Sequence, residues 1–182
     1  MEYTDQEVSH RPGCGWMVAG ILTAMLVSAY IIAGLTEPNF FANPVSQSFS
    51  WAAQMWAQLG DASRAYAVAD RAARMDPDNL TYLRQNCRYG AIAGQPEAVM
   101  GICERMAQAN PNSLWARDSR GIARMLAGDY PGAIEDFAFV VETMHAAGFS
   151  GGNVAQRERF IEAMRDGQNP VTEEDLESLL RQ

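Results

Sequence analysis

The chain has 182 residues, of which 48% are hydrophobic and 20% charged, and its formal net charge is −8 at pH 7. This length allows one domain of moderate size beside a short extra segment. The acidic balance argues against a nucleic-acid-binding surface, and the apolar content argues against a disordered acidic tail.

The first predicted element is a membrane-spanning helix over residues 16–35, which carry no charge across 20 positions. A helix of this length crosses about 30 Å of hydrocarbon. Trp16 and Tyr30 lie near its ends, where aromatic rings favour the interface. A cleaved signal peptide is the alternative, but the apolar run is longer than usual and lacks a convincing cleavage site. We therefore expect an uncleaved anchor.

Two further features of this segment concern orientation and packing. Arg11 precedes the run and the next cation is Arg64, which places the N-terminus in the cytoplasm and the bulk of the chain outside it. Gly20, Ala24 and Ser28 recur at every fourth position and form one stripe of small residues. Such a stripe permits close packing against another membrane helix, or it simply meets lipid.

A 34-residue recurrence dominates the rest of the chain. Gly60, Gly94 and Gly128 are each 34 residues apart, and so are Pro77 and Pro111. Glycine supplies positive φ where one helix ends, and proline stops the next helix by removing an amide donor. The segments around them read LGDASRAYAVADRAARMDPDN, AGQPEAVMGICERMAQANPNS and AGDYPGAIEDFAFVVETM. This pattern resembles the tetratricopeptide-repeat (TPR) family, whose unit is two antiparallel helices.

The resemblance implies an all-α solenoid. Its three repeats would span residues 46–79, 80–113 and 114–147. Compact side chains are expected where the two helices of a unit cross, and Val99 is bulkier there than Ala65 or Ala133. Asn79 and Ser113 are predicted to cap the helices that follow them.

The third repeat departs from the family pattern because arginines stand at positions that the family fills with apolar groups. These are Arg117, Arg120 and Arg124. We favour burial of their stems with paired heads, the candidate partners being Asp118, Asp129, Glu135 and Asp136. The alternative is a rotated helix that packs inward Trp115, Ile122, Met125 and Leu126.

Two shorter helices are predicted after the repeats. A Gly-rich break at 148–152 precedes an amphipathic helix near 154–165, and a turn at 167–170 follows it. Thr172 with Asp175 then begins a last helix in the manner of a capping box. Because repeat arrays need end units that cover their final apolar face, we expect residues 148–182 to cap the array. Before the array, residues 1–15 form a tail and 36–45 a linker.

The resemblance also implies a concave groove on the first helices of the repeats. Its candidate partner-binding residues are Gln54, Arg84, Arg88, Asp118, Ile122 and Met125. Arg84 and Arg88 lie one turn apart and could bind a partner carboxylate together. Ordinary solvation or internal pairing of these two arginines is the alternative.

No reactive constellation is evident. His145 is the only histidine after the predicted anchor, and the chain has no P-loop, dinucleotide-binding or zinc-protease motif. We therefore expect no enzyme activity, no cofactor, no metal and no small-molecule substrate. The resemblance places Cys87 opposite Cys103, as a pair of buried thiols or, outside the cytoplasm, a disulfide.

The predicted function is that of a scaffold anchored in a bacterial cytoplasmic membrane by one span, with the repeat domain outside the cytoplasm. Its partners would be proteins, including other membrane proteins, and not nucleic acid. An accessory or structural subunit of a membrane complex fits this description. The alternative is a peptide receptor that recruits a soluble partner through the groove; an enzyme is a remote third possibility.

Overall fold

The computed structural model describes residues 14–36 and 42–182, with side chains described for 19–32 and 44–182. Within these residues the chain forms nine α-helices and no strand, which confirms the all-α prediction for this part of the chain. The helices are α1 (Cys14–Thr36), α2 (Ala42–Gln58), α3 (Ala62–Met75), α4 (Leu80–Ile92), α5 (Pro96–Ala109), α6 (Leu114–Leu126), α7 (Tyr130–Ala146), α8 (Asn153–Arg165) and α9 (Glu173–Arg181).

The first unit of the chain contains α1 alone among the described helices. Its 23 residues include the uncharged run, so the helical conformation predicted for residues 16–35 is confirmed. The side chains of residues 19–32, among them Gly20, Ala24 and Ser28, are exposed. Among the described residues, no helix reaches the combined length and hydropathy needed to cross a bilayer. The packing role of the small-residue stripe stays a prediction.

The second unit, Ala42–Gln182, is a stack of antiparallel helix pairs. Each helix from α2 to α7 packs on the next one in the chain, and α4 also packs along α6. The pairs are α2–α3, α4–α5 and α6–α7, one in each predicted repeat. Three clusters of buried apolar side chains follow the stack from one end to the other.

The start of the stack differs from the prediction. Residues 36–45 were expected to form a linker, but α2 begins at Ala42 and includes Pro44. Proline is tolerated there because the first amides of a helix have no partner within the helix. The Ser48 hydroxyl donates to the Pro44 carbonyl at 2.8 Å, as expected of continuous helix. Residues 37–41, with Phe40 and Phe41, lie outside the described residues.

The turns within each pair confirm the predicted role of the recurring glycines. Gly60, Gly94 and Gly128 have φ of 83°, 82° and 82°. In each turn the amide that follows the glycine donates back to a carbonyl in the last turn of the preceding helix, at 2.9–3.0 Å. The same closure recurs at Gly148 and Gly167, which lie outside the 34-residue spacing. Local backbone chemistry therefore ends five of these helices.

The ends of the pairs also follow the sequence. Helices α3 and α5 each end two residues before the prolines Pro77 and Pro111. The side chain of Asn79 accepts hydrogen bonds from two backbone amides at the start of α4. The side chain of Ser113 accepts one from a backbone amide at the start of α6. The predicted stops and caps are confirmed.

Helix α4 approaches α3 and α5 closely at Gly90, and this explains how Val99 fits at the helix crossing. Ala65, Val99 and Ala133 are all fully buried, although Val99 is larger. A Cβ built on Gly90 would lie 2.4 Å from Val99 Cγ1 and 2.8 Å from Tyr66 Cε2. The missing side chain of Gly90 thus provides the space that the valine occupies.

Adding that side chain is expected to destabilise the domain. We expect Gly90→Ala to cost about 1–3 kcal/mol of unfolding free energy because the core is overpacked, measured by urea denaturation. In the control Gly101→Ala the new methyl group meets no atom within 4 Å, and alanine's helix propensity should leave stability unchanged or slightly higher. In the double variant, Val99→Ala should restore part of the unfolding free energy that Gly90→Ala loses. If the losses of the two single variants simply added, the proposed steric cause would be contradicted.

The last two helices take different positions. Helix α8 packs on α7, as a covering end helix should. The predicted capping box is present at the start of α9, where Thr172 and Asp175 exchange hydrogen bonds. Helix α9, however, does not extend the array: it packs on α2 and α4, far back along the stack.

Candidate partner-binding groove

The candidate site is the face formed by α2, α4 and α6, which we call the first-helix face. All six predicted partner-binding residues are on these helices. Gln54 is exposed and Arg84 is half-buried, whereas Arg88, Asp118, Ile122 and Met125 are buried. The chain's own α8 and α9 contribute to that burial, because the guanidinium of Arg157 and the backbone of α9 bind Asp118 and Arg88.

Helix α9 is held on this face by both apolar and polar contacts. Leu179 is fully buried in the cluster shared with α6, α7 and α8, and Leu180 is buried in the cluster shared with α2 and α3. Arg88 donates through Nε and Nη2 to the Leu179 carbonyl at 2.9 and 2.8 Å. Gln58 Nε2 donates to the Arg181 carbonyl at 3.1 Å. Two carbonyls of the last helical turn, which lack partners within the helix, are thereby satisfied.

A buried charge network links α4, α6 and α8 beneath α9. Asp118 accepts from Arg157 Nε at 2.6 Å, from Arg157 Nη2 at 2.9 Å and from Arg88 Nη1 at 3.1 Å. Both arginines also donate to Gln182 Oε1, at 3.2 and 3.0 Å. Arg88 is 3%, Arg157 2% and Asp118 8% exposed. Such groups are stable in the interior only when paired and fully hydrogen-bonded.

The electrostatics of this network depend on its pairing. Burial would raise the pKa of Asp118, but the charges and hydrogen bonds of Arg157 and Arg88 outweigh burial and lower that pKa below its ordinary value. Burial lowers the pKa of Arg88, and the Asp118 carboxylate opposes this effect. Two guanidinium groups share one carboxylate here, so the partial negative charge at the carbonyl end of α9 is favourable beside them.

Arg157 is the site residue that the sequence-based reasoning missed. It lies on α8, with its guanidinium carbon 5.6 Å from the Phe137 ring centre and 5.9 Å from that of Phe160. The available signal was its spacing: Val154, Arg157, Phe160 and Met164 recur every three or four residues on one helical face. An arginine at an apolar position of a short helix predicts a buried partner of opposite charge.

The two arginines proposed to act together have different surroundings. The donors of Arg88 bind Asp118, Leu179 and Gln182. Arg84 instead lies 5.6 Å from the centre of the Trp115 ring, and it lines two open clefts of about 490 and 280 Å³. Gln182 lines both clefts as well. The accessible part of the first-helix face therefore includes Gln54 and the region around Arg84 and Trp115, which flanks the end of α9.

The three arginines of α6 form a second network on the other side of that helix. All three reach Asp136, which is fully buried: Arg117 at 3.0 Å, Arg120 at 2.6 Å and Arg124 at 3.0 Å. The predicted pairing with Asp136, Glu135 and Asp129 is confirmed, while Asp118 pairs elsewhere and Glu104 is an additional partner. Hydrogen bonding to Asp136 raises the pKa of Arg120. Ile122 and Met125 also pack inward, as in the rotated-helix alternative, but Trp115 is exposed.

The first turn of α9 is attached through Asp175. Arg159 and Gln156 of α8 donate to its Oδ1, and Thr172 donates to its Oδ2. Burial would raise the pKa of Asp175, but these hydrogen bonds lower it from 3.8 to about 2.

We expect this carboxylate to make α9 acid-sensitive. Because the pKa is lower in the folded state, its stabilising contribution is complete above the unfolded value of 3.8 and is lost as pH falls towards about 2. Asp175→Asn should cost on the order of 1 kcal/mol of unfolding free energy at pH 6. Urea denaturation of both proteins from pH 6 to pH 2 should show that difference shrinking with acid. A constant difference would contradict a charge effect.

The second pair contains a disulfide bond. Cys87 and Cys103 join α4 to α5, with an S–S distance of 2.10 Å and a Cα–Cα distance of 5.2 Å. Both residues are fully buried. The sequence left disulfide and free thiols open; the structure has the disulfide.

One further polar pair involves the histidine singled out in the sequence. His145 Nε2 lies 2.8 Å from Glu158 Oε1 on the exposed surface between α7 and α8. No group of three or more histidine, cysteine or acidic side chains among the described residues is arranged to hold a metal ion. No protein-family model, curated protein or solved structure matches the chain.

Proposed function

We propose that this chain is a membrane-anchored repeat protein of the TPR type that acts as a scaffold for other proteins. The observation that carries the proposal is the first-helix face, where an amphipathic helix is seated through two buried leucines and a backbone-binding arginine. A surface that holds one helix in this way has the shape and chemistry to organise protein segments. The open clefts beside Arg84 and Trp115 extend that surface.

The TPR assignment is supported by the agreement of several independent markers. The 34-residue spacing of Gly60, Gly94 and Gly128 coincides with three helix pairs, and compact residues lie at each helix crossing. Repeats of this kind present extended faces for proteins rather than enclosed pockets for small substrates. Fold alone does not name the partner.

The membrane part of the proposal rests on the sequence of residues 16–35, which are uncharged throughout. The buried disulfide supports a repeat domain outside the cytoplasm, since such bonds persist in oxidising compartments. Arg11 on the other side of the run supports the same orientation. We place the protein in a bacterial cytoplasmic membrane as an accessory or structural subunit of a larger complex.

Extraction from native membranes tests the scaffold proposal. The chain should remain in the membrane fraction after alkaline washing, and after mild detergent extraction it should co-migrate with other membrane proteins in size exclusion. Leu26→Arg, which places a charge within the uncharged run, should release part of the protein from the membrane. Elution of the native chain as a lone monomer would contradict the scaffold proposal.

A second candidate function is a peptide receptor, and the position of α9 favours it. Seven residues, 166–172, connect α8 to α9, so a partner helix could replace α9 on the first-helix face. Arg84→Ala with Trp115→Ala should then weaken capture of a soluble partner and leave membrane assembly intact. Arg105→Ala, at an exposed position on α5, is the matched control. Equal capture by both variants would remove the groove from consideration.

A further inference from the structure

Helix α2 carries an apolar stripe that no other part of the described stack covers. Trp51, Met55 and Leu59 are 63%, 66% and 69% exposed. Trp51 and Met55 belong to α2, and Leu59 directly after it continues the last turn, because its amide donates to the Met55 carbonyl at 3.0 Å. At this fourfold spacing the three side chains lie on one side of the helix. Ala53 and Ala57, in contrast, are buried in the stack. Single exposed apolar residues are ordinary, whereas three large ones in a row on one helix mark a contact surface.

The charge distribution indicates what kind of surface covers the stripe. Helix α2 has no charged residue in 17 positions. The pair α2–α3, residues 42–75, contains two aspartates and three arginines, whereas residues 76–182 contain sixteen acidic and ten basic residues. In a chain of net charge −8, α6–α7 (residues 114–146) has a net charge of −2 and α4–α5 (residues 80–109) one of +1, and the stripe likewise lies on a pair of net charge +1. A bilayer with anionic headgroups attracts such a surface and repels the remainder.

Along the chain, this helix follows the proposed anchor after a short connection. Five residues, 37–41, connect α1 to α2, and a connection of that length spans at most about 20 Å. A bilayer that receives α1 is thus within reach of α2. Tryptophan is also the side chain that most favours the bilayer interface, where its ring is buried and its N–H stays hydrated.

We propose that the stripe of Trp51, Met55 and Leu59 lies on the membrane surface, so that α2 is an interfacial helix as well as the first helix of the stack. This inference rests on the proposed anchoring by residues 16–35. The lipid surface is chosen over a second copy of the chain because the helix lacks the ion pairs and charged rim that a protein interface uses.

The test uses the full chain carrying Cys14→Ser, reconstituted into vesicles of phosphatidylcholine and phosphatidylglycerol. An environment-sensitive fluorophore is attached to Met55→Cys or, as a control, to Ala98→Cys, an exposed site on α5. Cys87 and Cys103 do not react because they are disulfide-bonded. We expect lipid-borne quenchers to reduce the emission at position 55 at least threefold more than at position 98. Adding Trp51→Glu and Leu59→Glu should abolish that difference while the chain still floats with the vesicles.

Three other outcomes overturn the inference, and they are distinguishable. If the chain floats but both fluorophores remain equally accessible to water, the anchor stands and the interfacial helix does not. If the chain fails to float, the anchoring proposal falls and the inference falls with it. If position 55 is shielded equally in detergent and in vesicles, and size exclusion shows a dimer, a second copy covers the stripe.

Discussion

Replacing Asp118 with asparagine is expected to lower the free energy of unfolding by about 3–5 kcal/mol. The change removes the one carboxylate that the buried Arg88 and Arg157 share, and the amide group brings two donors in its place. Two guanidinium groups would then remain in the interior beside neutral acceptors. Urea denaturation followed by circular dichroism measures the loss directly.

The matched control for this experiment is Glu135→Gln. Glu135 is also paired with an arginine, Arg117, but 71% of its side chain is exposed. Exposed pairs contribute at most about 1 kcal/mol, so this variant should unfold nearly as the native protein does. If Asp118→Asn cost no more than the control, the network beneath α9 would be irrelevant to stability. Because α9 binds Arg88, a partner of Asp118, Asp118→Asn should also make the segment after residue 172 more sensitive to protease.

Removing the disulfide is expected to cost about 3 kcal/mol of unfolding free energy. The bond closes a loop between residues separated by 16 positions, and its main effect in the loop-closure view is to restrict the unfolded chain. The double variant Cys87→Ala with Cys103→Ala should show this loss in thermal unfolding. Adding reductant to the native protein should lower its stability by nearly the same amount. Cys14→Ser should leave the midpoint unchanged under both conditions.

The same pair of cysteines tests the proposed location of the domain outside the cytoplasm. If the domain lies outside the cytoplasm, alkylation in denaturant at the moment of lysis should leave Cys87 and Cys103 unmodified, because they are oxidised. Modification of both residues in freshly lysed cells would contradict that location.

The features predicted correctly from the sequence are those with local causes. Positive φ at Gly60 depends on the backbone of one turn, and capping by Asn79 involves only the next few residues. The capping box at Thr172 is equally local. The pairing of Arg120 with Asp136 could also be predicted, because consecutive helices of a hairpin must face each other.

The position of α9 was not predicted because its contacts connect residues far apart in the chain. Arg88 and the Leu179 carbonyl are separated by 91 residues, and no periodicity links them. Neither an arginine on a groove helix nor a short amphipathic helix indicates, by itself, that the two are in contact. For this reason four of the candidate groove residues were expected on an open surface and are instead buried. The predicted linker over residues 36–45 overlaps the start of α2, because the first turn of a helix accepts a proline such as Pro44.

The return of α9 to α2 and α4 also changes how the stack should come apart. In an open array each unit touches only its neighbours, so the ends can fray while the middle persists. Here, detaching the segment after residue 172 uncovers Arg88 and Asp118 in the centre of the stack. Amide exchange should therefore report one cooperative opening rather than a gradient along the helices. A growing polypeptide, moreover, cannot complete this arrangement until α9 has left the ribosome, because that helix is made after every helix it touches.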